Sequence, residues 1–223
     1  MKTFFGNGSG PKLGKIIAMD RFDSGRSLSP IRQAESYWTA LLGDDGVPRR
    51  SQIDPRGLEN ILEYTFILER IAPGLARFRL AGSHLSKIAG MEVRGMPLTA
   101  FFDPSSRDRI TEELEKVFSE PAIGEFTLVS KGKLGRVRLE ARMILLPLRS
   151  DLGDVSRILG VLVSDGVIGT TPRRFTIDSS QVRPLVAVQR QAEHPRLESG
   201  FAEDQAEFKG PSGHLKLVYS RDD

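Results

Sequence analysis

Two adjacent arginines, three widely spaced histidines and an arginine-studded strand are the side chains of this 223-residue chain whose types and spacing could do chemistry. Arg49-Arg50 lies in the loop GDDGVPRRSQI, just ahead of Asp54. Guanidinium groups clamp phosphate or carboxylate through forked, charge-assisted hydrogen bonds, so the pair is a candidate anion site. The competing use is an arginine that pairs with Asp54, or with a helix C-terminus, and pins the loop. Arg136, Arg138 and Arg142 alternate along RVRLEARM and offer a basic stripe to an anionic nucleotide or an acidic partner. Glu140 lies among them, and a solvated face is the preferred reading of the pattern. No aromatic side chains interleave with these arginines as single-stranded nucleic acid would require. His84, His194 and His214 are too far apart for any pair to have metal-ligand spacing. Glu112-Glu113 and Asp44-Asp45 read as solvated carboxylates. The chain has no P-loop signature and no GxSxG elbow. Gly6-Asn7-Gly8-Ser9-Gly10 has no strand ahead of it, so it reads as a flexible terminus and not as a phosphate cradle. With no cysteine, disulfides, thiolate metal sites and cysteine nucleophiles are excluded. A non-enzymatic protein is expected.

The bulk numbers bound the elements that position these residues. A 39% apolar fraction with 12 Phe can build a real core, and a net charge of +3 is too small to imply nucleic-acid binding. No run is long and apolar enough for a membrane span, and MKTFFGNGSG lacks a signal-peptide core, so a cytoplasmic location is expected. Residues 1–27 read as a flexible N-terminal arm with one apolar patch, Ile16–Met19. Ser29-Pro30 is a cap-plus-proline start for a first helix through Ala34, Tyr37, Trp38, Leu41 and Leu42, ended by Gly43. Asp54-Pro55 opens a second, short helix through Leu58, Ile61 and Leu62. Tyr64, Phe66 and Leu68 alternate as a strand, Pro73-Gly74 turns the chain, and Phe78 and Leu80 point inward on a second strand. Ser83–Ala89 forms a short helix burying Leu85 and Ile88, and Asp103-Pro104 starts a longer one to about Ser119. Three strands follow: Glu125 to Lys131, Val137 to Leu146 and Arg157 to Val167. The last is apolar on both faces, as a central strand should be. The expectation is an α+β domain over residues 28–169, with a five-stranded antiparallel sheet, helices on one face and an added N-terminal helix. Residues 170–223 read as a partly ordered C-terminal extension, in which FTIDSS and VRPLVAVQRQ are at best weak elements and HLKLVYS is a short alternating run.

That element order, together with SYW at 36–38, VPRRSQIDP at 47–55, FILERIAPGLARFRLAG at 66–82 and MEVRGMPL at 91–98, resembles a bacterial family of small PAS-like proteins without an attached output domain. The resemblance spans roughly Ile31 to Val167. It implies a sheet and covering helices around a cup that holds haem, flavin or a small metabolite, or is filled by side chains. The candidate cup wall is Phe66, Phe78, Leu80, His84, Leu85, Ile88, Phe101, Leu139, Met143 and Leu162. Haem-type modules use a histidine near the position of His84, and cysteine-adduct flavin photochemistry is excluded by the lack of cysteine. The cofactor is otherwise left open. PAS modules also dimerise through N-terminal helices, which makes Tyr37, Trp38 and Leu41 interface candidates. The functional expectation is a sensory module that binds a small ligand or a signalling partner. The alternative is a homodimeric interaction scaffold with a side-chain-filled core.

Overall fold

The computed structural model describes residues 28–43, 46–132 and 137–185. The expectations placed on Gly6–Gly10, Ile16–Met19, Asp44-Asp45, Arg136, His194, His214 and HLKLVYS fall outside the described residues.

A helix, α1 (Leu28–Ala40), is followed by a 3₁₀ helix at Pro55–Tyr64 and a hairpin, β1 (Thr65–Ala72) and β2 (Leu75–Ala81). Next come α2 (Ser83–Ala89), α3 (Pro104–Ser119), β3 (Ala122–Ser130), β4 (Leu139–Arg149), β5 (Val155–Asp165) and β6 (Thr176–Pro184). The six strands form one sheet in the order β2-β1-β5-β4-β3-β6. Every neighbouring pair is antiparallel. The five expected strands are all present. β6, built from the FTIDSS and VRP stretches, adds a sixth along β3, with a register break between Thr127 and Leu128.

Alternation along the central strands splits the interior into two cores. Met143, Leu145, Ile158 and Leu162 face α2 and α3, whereas Ile144, Leu146, Leu159 and Val161 face α1 and the Pro55–Tyr64 helix. A strand buried on both faces needs an apolar layer on each side, and α1 supplies the second layer. The alternate face of β4 is therefore not an open arginine face along its length. Ile144, Leu146 and Leu148 on that face are fully buried, and Arg138 pairs with Glu140 at 2.8 Å.

The cap-plus-proline signals are realised unevenly, and α1 starts at Leu28, one residue before the expected cap Ser29. Asp54 Oδ1 accepts from the Arg56 amide at 2.9 Å, capping the 3₁₀ helix behind Pro55. Asp103 occupies the corresponding position before α3 without a side-chain cap. Gly74 turns the hairpin at φ +67°, and its amide donates to Glu115 Oε2 at 2.7 Å. Arg70 reaches the other oxygen of Glu115 at 2.5 Å and covers the Phe118 ring, fastening the hairpin tip to α3.

Arg183 on β6 joins two layers by contacting both Glu35 on α1, at 2.6 Å, and Glu125 on β3. All three side chains are roughly a third exposed, so screening limits the effect. Arg183→Met is expected to lower unfolding stability by about 1 kcal/mol in low salt. The difference from the unsubstituted chain should shrink in 1 M salt, where ~3 Å screening lengths apply. Urea unfolding at the two salt concentrations checks it.

Candidate functional site

The cup that the sequence points to is built by the inward residues of β1, β2, β4 and β5 together with α2 and the Phe101 turn. Phe66, Phe78, Leu85, Ile88, Phe101, Leu139, Met143 and Leu162 all meet there, none more than 3% exposed. A void wide enough for a cofactor leaves its walls accessible to water, and these walls are not. Three rings fill the centre. Phe66 and Phe78 lie edge to face with centroids 5.3 Å apart, and Phe78 and Phe101 are tilted at 5.2 Å. Phe66 sits on Gly160, its cross-strand partner on β5, and a Cβ at Gly160 would come within 2.1 Å of the Phe66 ring. The residues present do not fit haem or flavin in this cup.

His84 belongs to the same region but is not poised as an axial ligand. Its Nε2 accepts from the Ser164 backbone amide at 3.1 Å and lies 3.0 Å from the Ser164 hydroxyl, tying α2 to the end of β5. The Tyr64 ring packs against it edge-on at 4.9 Å. Accepting from an amide requires an unprotonated Nε2. Burial holds the imidazole pKa below its ordinary value, with the Glu63 charge acting the other way and Lys87 adding to the depression. At His84 the folded state thus binds fewer protons than the unfolded chain in the window between the folded-state pKa and the ordinary 6.5. The contribution of neutral His84 is complete above that pH and is lost as pH falls toward the folded-state pKa. Melting temperature is expected to fall between pH 7 and 5, and His84→Gln, which can still accept from Ser164, should flatten that slope. Equal slopes for the two proteins would remove His84 as the cause.

Leu80 is not part of the cup. The β1–β2 register shifts between Ile67 and Leu68, so that Ile67 pairs with Leu80 but Leu68 pairs with Phe78. Arg79 is the extra residue on β2, and it turns Leu80 to the opposite face, where it is 49% exposed. Trp38 is corrected as well. It is fully buried in its own chain, and its indole N–H donates to the Pro147 carbonyl at 2.9 Å, so it cannot form a seam between two copies. Tyr37 exchanges hydrogen bonds with the backbone of Asp54, and Leu41 is half-buried beside the same core. Arg49 and Arg50 do not act as one clamp. Arg49 borders a recess beside Leu41 and Arg149, whereas Arg50 borders a different one.

The recess at Arg50 lies on the outer face of β1 and β2, the end of the sheet that α1 leaves open. An apolar slot of about 200 Å³, lined by Ile53, Leu58, Leu62, Ile67 and Leu80, meets a wider open groove of about 550 Å³. Arg50, Ile67 and Leu80 border both. Arg79, Arg94 and Arg157 complete the rim with Ser51 and Asp151. Arg79 and Arg157 share one carboxylate, Glu69, with a third arginine, Arg77, at 3.2, 2.8 and 2.9 Å. The Arg77 hydrogen bond foremost, then the Arg157 and Arg79 charges, hold the Glu69 carboxyl below its usual range. One carboxylate among three guanidinium groups leaves the rim positive. Arg94 Nε donates to the Arg79 carbonyl at 3.2 Å, which brings a further cation over β2. The arrangement suits a partner with apolar side chains for the slot and carboxylates for the rim. Of these residues, the sequence marks only Arg50 and, for the wrong face, Leu80 as site candidates, and Leu58 and Leu62 only as the apolar side of a helix. The others come together from five separate stretches of chain, so no local spacing marks them.

Among solved structures, the light-state structure of the blue-light photoreceptor aureochrome1 LOV is 12% identical, with a TM-score of 0.38, over 50% of this chain and 88% of that one. A light-oxygen-voltage domain studied with a flavin analogue is 16% identical, with a TM-score of 0.34, over 50% of this chain and 83% of that one. No curated protein sequence matches the chain. A sequence model of the PAS domain matches residues 26–163, more than half of the chain, which therefore belongs to the PAS domain family.

Proposed function

We propose that this PAS domain is a non-enzymatic sensory and regulatory module of a bacterial signalling system, acting in the cytoplasm through protein contact and not through a cofactor held in its cup. The observation that carries this reading is the aromatic filling of the cup, with Phe66 lying against Gly160. A module whose interior is already packed signals through its surface. The arginine-rimmed groove over β1 and β2 is a surface with both apolar and charged recognition elements. Among the described residues no helix is long and apolar enough to cross a membrane, which is compatible with action in the cytoplasm.

The test is the absorbance spectrum and native mass of the purified full chain. The expected result is protein absorbance alone and a mass equal to the polypeptide or an integral multiple of it. Stoichiometric haem, flavin or metabolite that survives buffer exchange would sink the filled-cup reading. Sedimentation of the same sample addresses the homodimer alternative, for which the burial of Trp38 removes the central residue of the expected seam.

A further inference from the structure

The groove over β1 and β2 leaves Leu62 42% and Leu80 49% exposed at the foot of a cationic rim, an apolar surface without a partner among the described residues. Two segments of the chain lie outside the described residues at its ends, and their charges differ in sign. Residues 1–27 carry Lys2, Lys12, Lys15, Arg21 and Arg26 against Asp20 and Asp23, and the rim repels them. The stretch LESGFAEDQAEF, residues 197–208, carries Glu198, Glu203, Asp204 and Glu207 with no lysine or arginine. It also carries Leu197, Phe201 and Phe208. Phe201 and Phe208 flank the acidic run, one on either side of Glu203, Asp204 and Glu207. We propose that residues 197–208 of this chain occupy the arginine-rimmed groove, with a phenylalanine in the slot at Leu62 and Leu80 and carboxylates on Arg50, Arg79 and Arg94.

The geometry permits it. The described chain ends at Leu185, which is buried in the α1-side core together with Ile67, the floor of the groove. Leu80 pairs with Ile67, Ile67 with Leu159 and Leu159 with Leu146. Arg183, just before the end, pairs with Ile123 on β3, next to the strand carrying Leu146. The groove and the end of β6 are therefore on one face at about the same height along the strands. They are five strand spacings apart, or about 24 Å at ~4.8 Å per spacing. Residues 186–196 extend up to ~36 Å at ~3.3 Å each, which leaves slack to pass around α1. A docked tail of this kind is a plug. A partner with the same acidic, aromatic chemistry has to displace it, so groove access is set by the chain itself. The plug rests on reading the groove as the contact surface.

The absence of cysteine makes the test clean. Full-length Leu80→Cys/Phe208→Cys is oxidised at low concentration, and its crosslinking is compared with that of Leu80→Cys/Phe22→Cys, which tethers the basic end instead. The expected result is an intramolecular disulfide forming at least about tenfold faster in the first pair, because docking raises the local concentration above the ~mM level of a free tether. Adding Arg79→Glu and Arg94→Glu should remove that advantage, and Glu203→Lys with Glu207→Lys on top of them should restore part of it. Equal rates for the two cysteine pairs, or a rate indifferent to the charge reversals, would overturn the plug. A disulfide formed only between two molecules would also overturn it and assign the groove to the tail of a second copy. Unchanged melting temperatures in the arginine variants keep a loss of fold from imitating either result. The outcome is independent of the absorbance test, so a cofactor found in the cup would sink the filled-cup reading while leaving the crosslinking rates to decide the plug.

Discussion

Gly160→Ala is expected to destabilise the protein by about 1–3 kcal/mol, the range for forcing an extra carbon into a packed core. Much of that loss should disappear when Phe66 is shortened to leucine. The two residues face each other across β1 and β5, and the Phe66 ring occupies the space that a side chain at 160 would need. Phe66→Leu alone removes ring contacts with Phe78 and leaves a gap, so it is also destabilising. In the double variant the new methyl group partly fills that gap. The sum of the single effects should therefore exceed the double effect by an interaction energy of about 0.5–3 kcal/mol, as for residues in contact. Urea unfolding of the four proteins measures it. A cup with unfilled space between sheet and helices would give a different result. Phe66 would swing aside, Gly160→Ala would be almost neutral, and the two substitutions would simply add. The cycle thus tests the packing on which the proposed function depends, without knowledge of any partner.

Much of this interior was legible in the sequence. Strand alternation put Phe66, Phe78, Leu139 and Met143 on inward faces, and a 3.6-residue period put Leu85 and Ile88 beside them, whereas Leu162, on a strand apolar on both faces, was placed by the family resemblance. Leu80 was misread because alternation assumes an unbroken register. The extra residue in the β1–β2 pairing is Arg79, and neither a glycine nor a proline marks it. Trp38 shows a different limit. Helical periodicity says that Trp38 is on an apolar stripe but not which surface covers the stripe, and a second copy or the chain's own sheet satisfies it equally. The deciding signal was present in β5, where ILGVLV is apolar on both faces. A strand of that kind requires cover on each side, and α2 and α3 can cover only one. β6 was read as a weak element because the register shift between Ile177 and Ser179 interrupts its alternation, and because its burial comes from β3 and α3 rather than from its own apolar content. The groove was out of reach for a topological reason. Arg79 and Arg157 are brought together by the order of strands β2, β1 and β5, and Arg50 and Arg94 join them from segments outside the sheet.

The second large effect is expected at Trp38. The side chain is fully buried between α1 and the sheet, amid Ile31, Ala34, Ile144 and Leu146, and its N–H satisfies the Pro147 carbonyl. Truncation to alanine removes an aromatic side chain from a core that cannot close over the space, with an expected loss of about 3–5 kcal/mol. Trp38→Phe separates the two contributions. It keeps most of the apolar contact but leaves the Pro147 carbonyl buried without its donor, which should cost about 1–3 kcal/mol. Because Trp38 is the only tryptophan, its fluorescence in the unsubstituted chain reports on α1 alone. If α1 is an integral layer, the fluorescence and far-ultraviolet circular dichroism transitions in urea should coincide, as two-state unfolding requires. A fluorescence transition at clearly lower urea would mean that α1 leaves the sheet before the cup opens. The apolar face of Ile144, Leu146 and Leu159 would then become available to a partner in an otherwise folded domain. The tight packing around Trp38 and the Arg183 contact with Glu35 both favour the first outcome. Arg183→Met gives the control, since weakening that contact should move both transitions together if α1 and the sheet unfold as one unit.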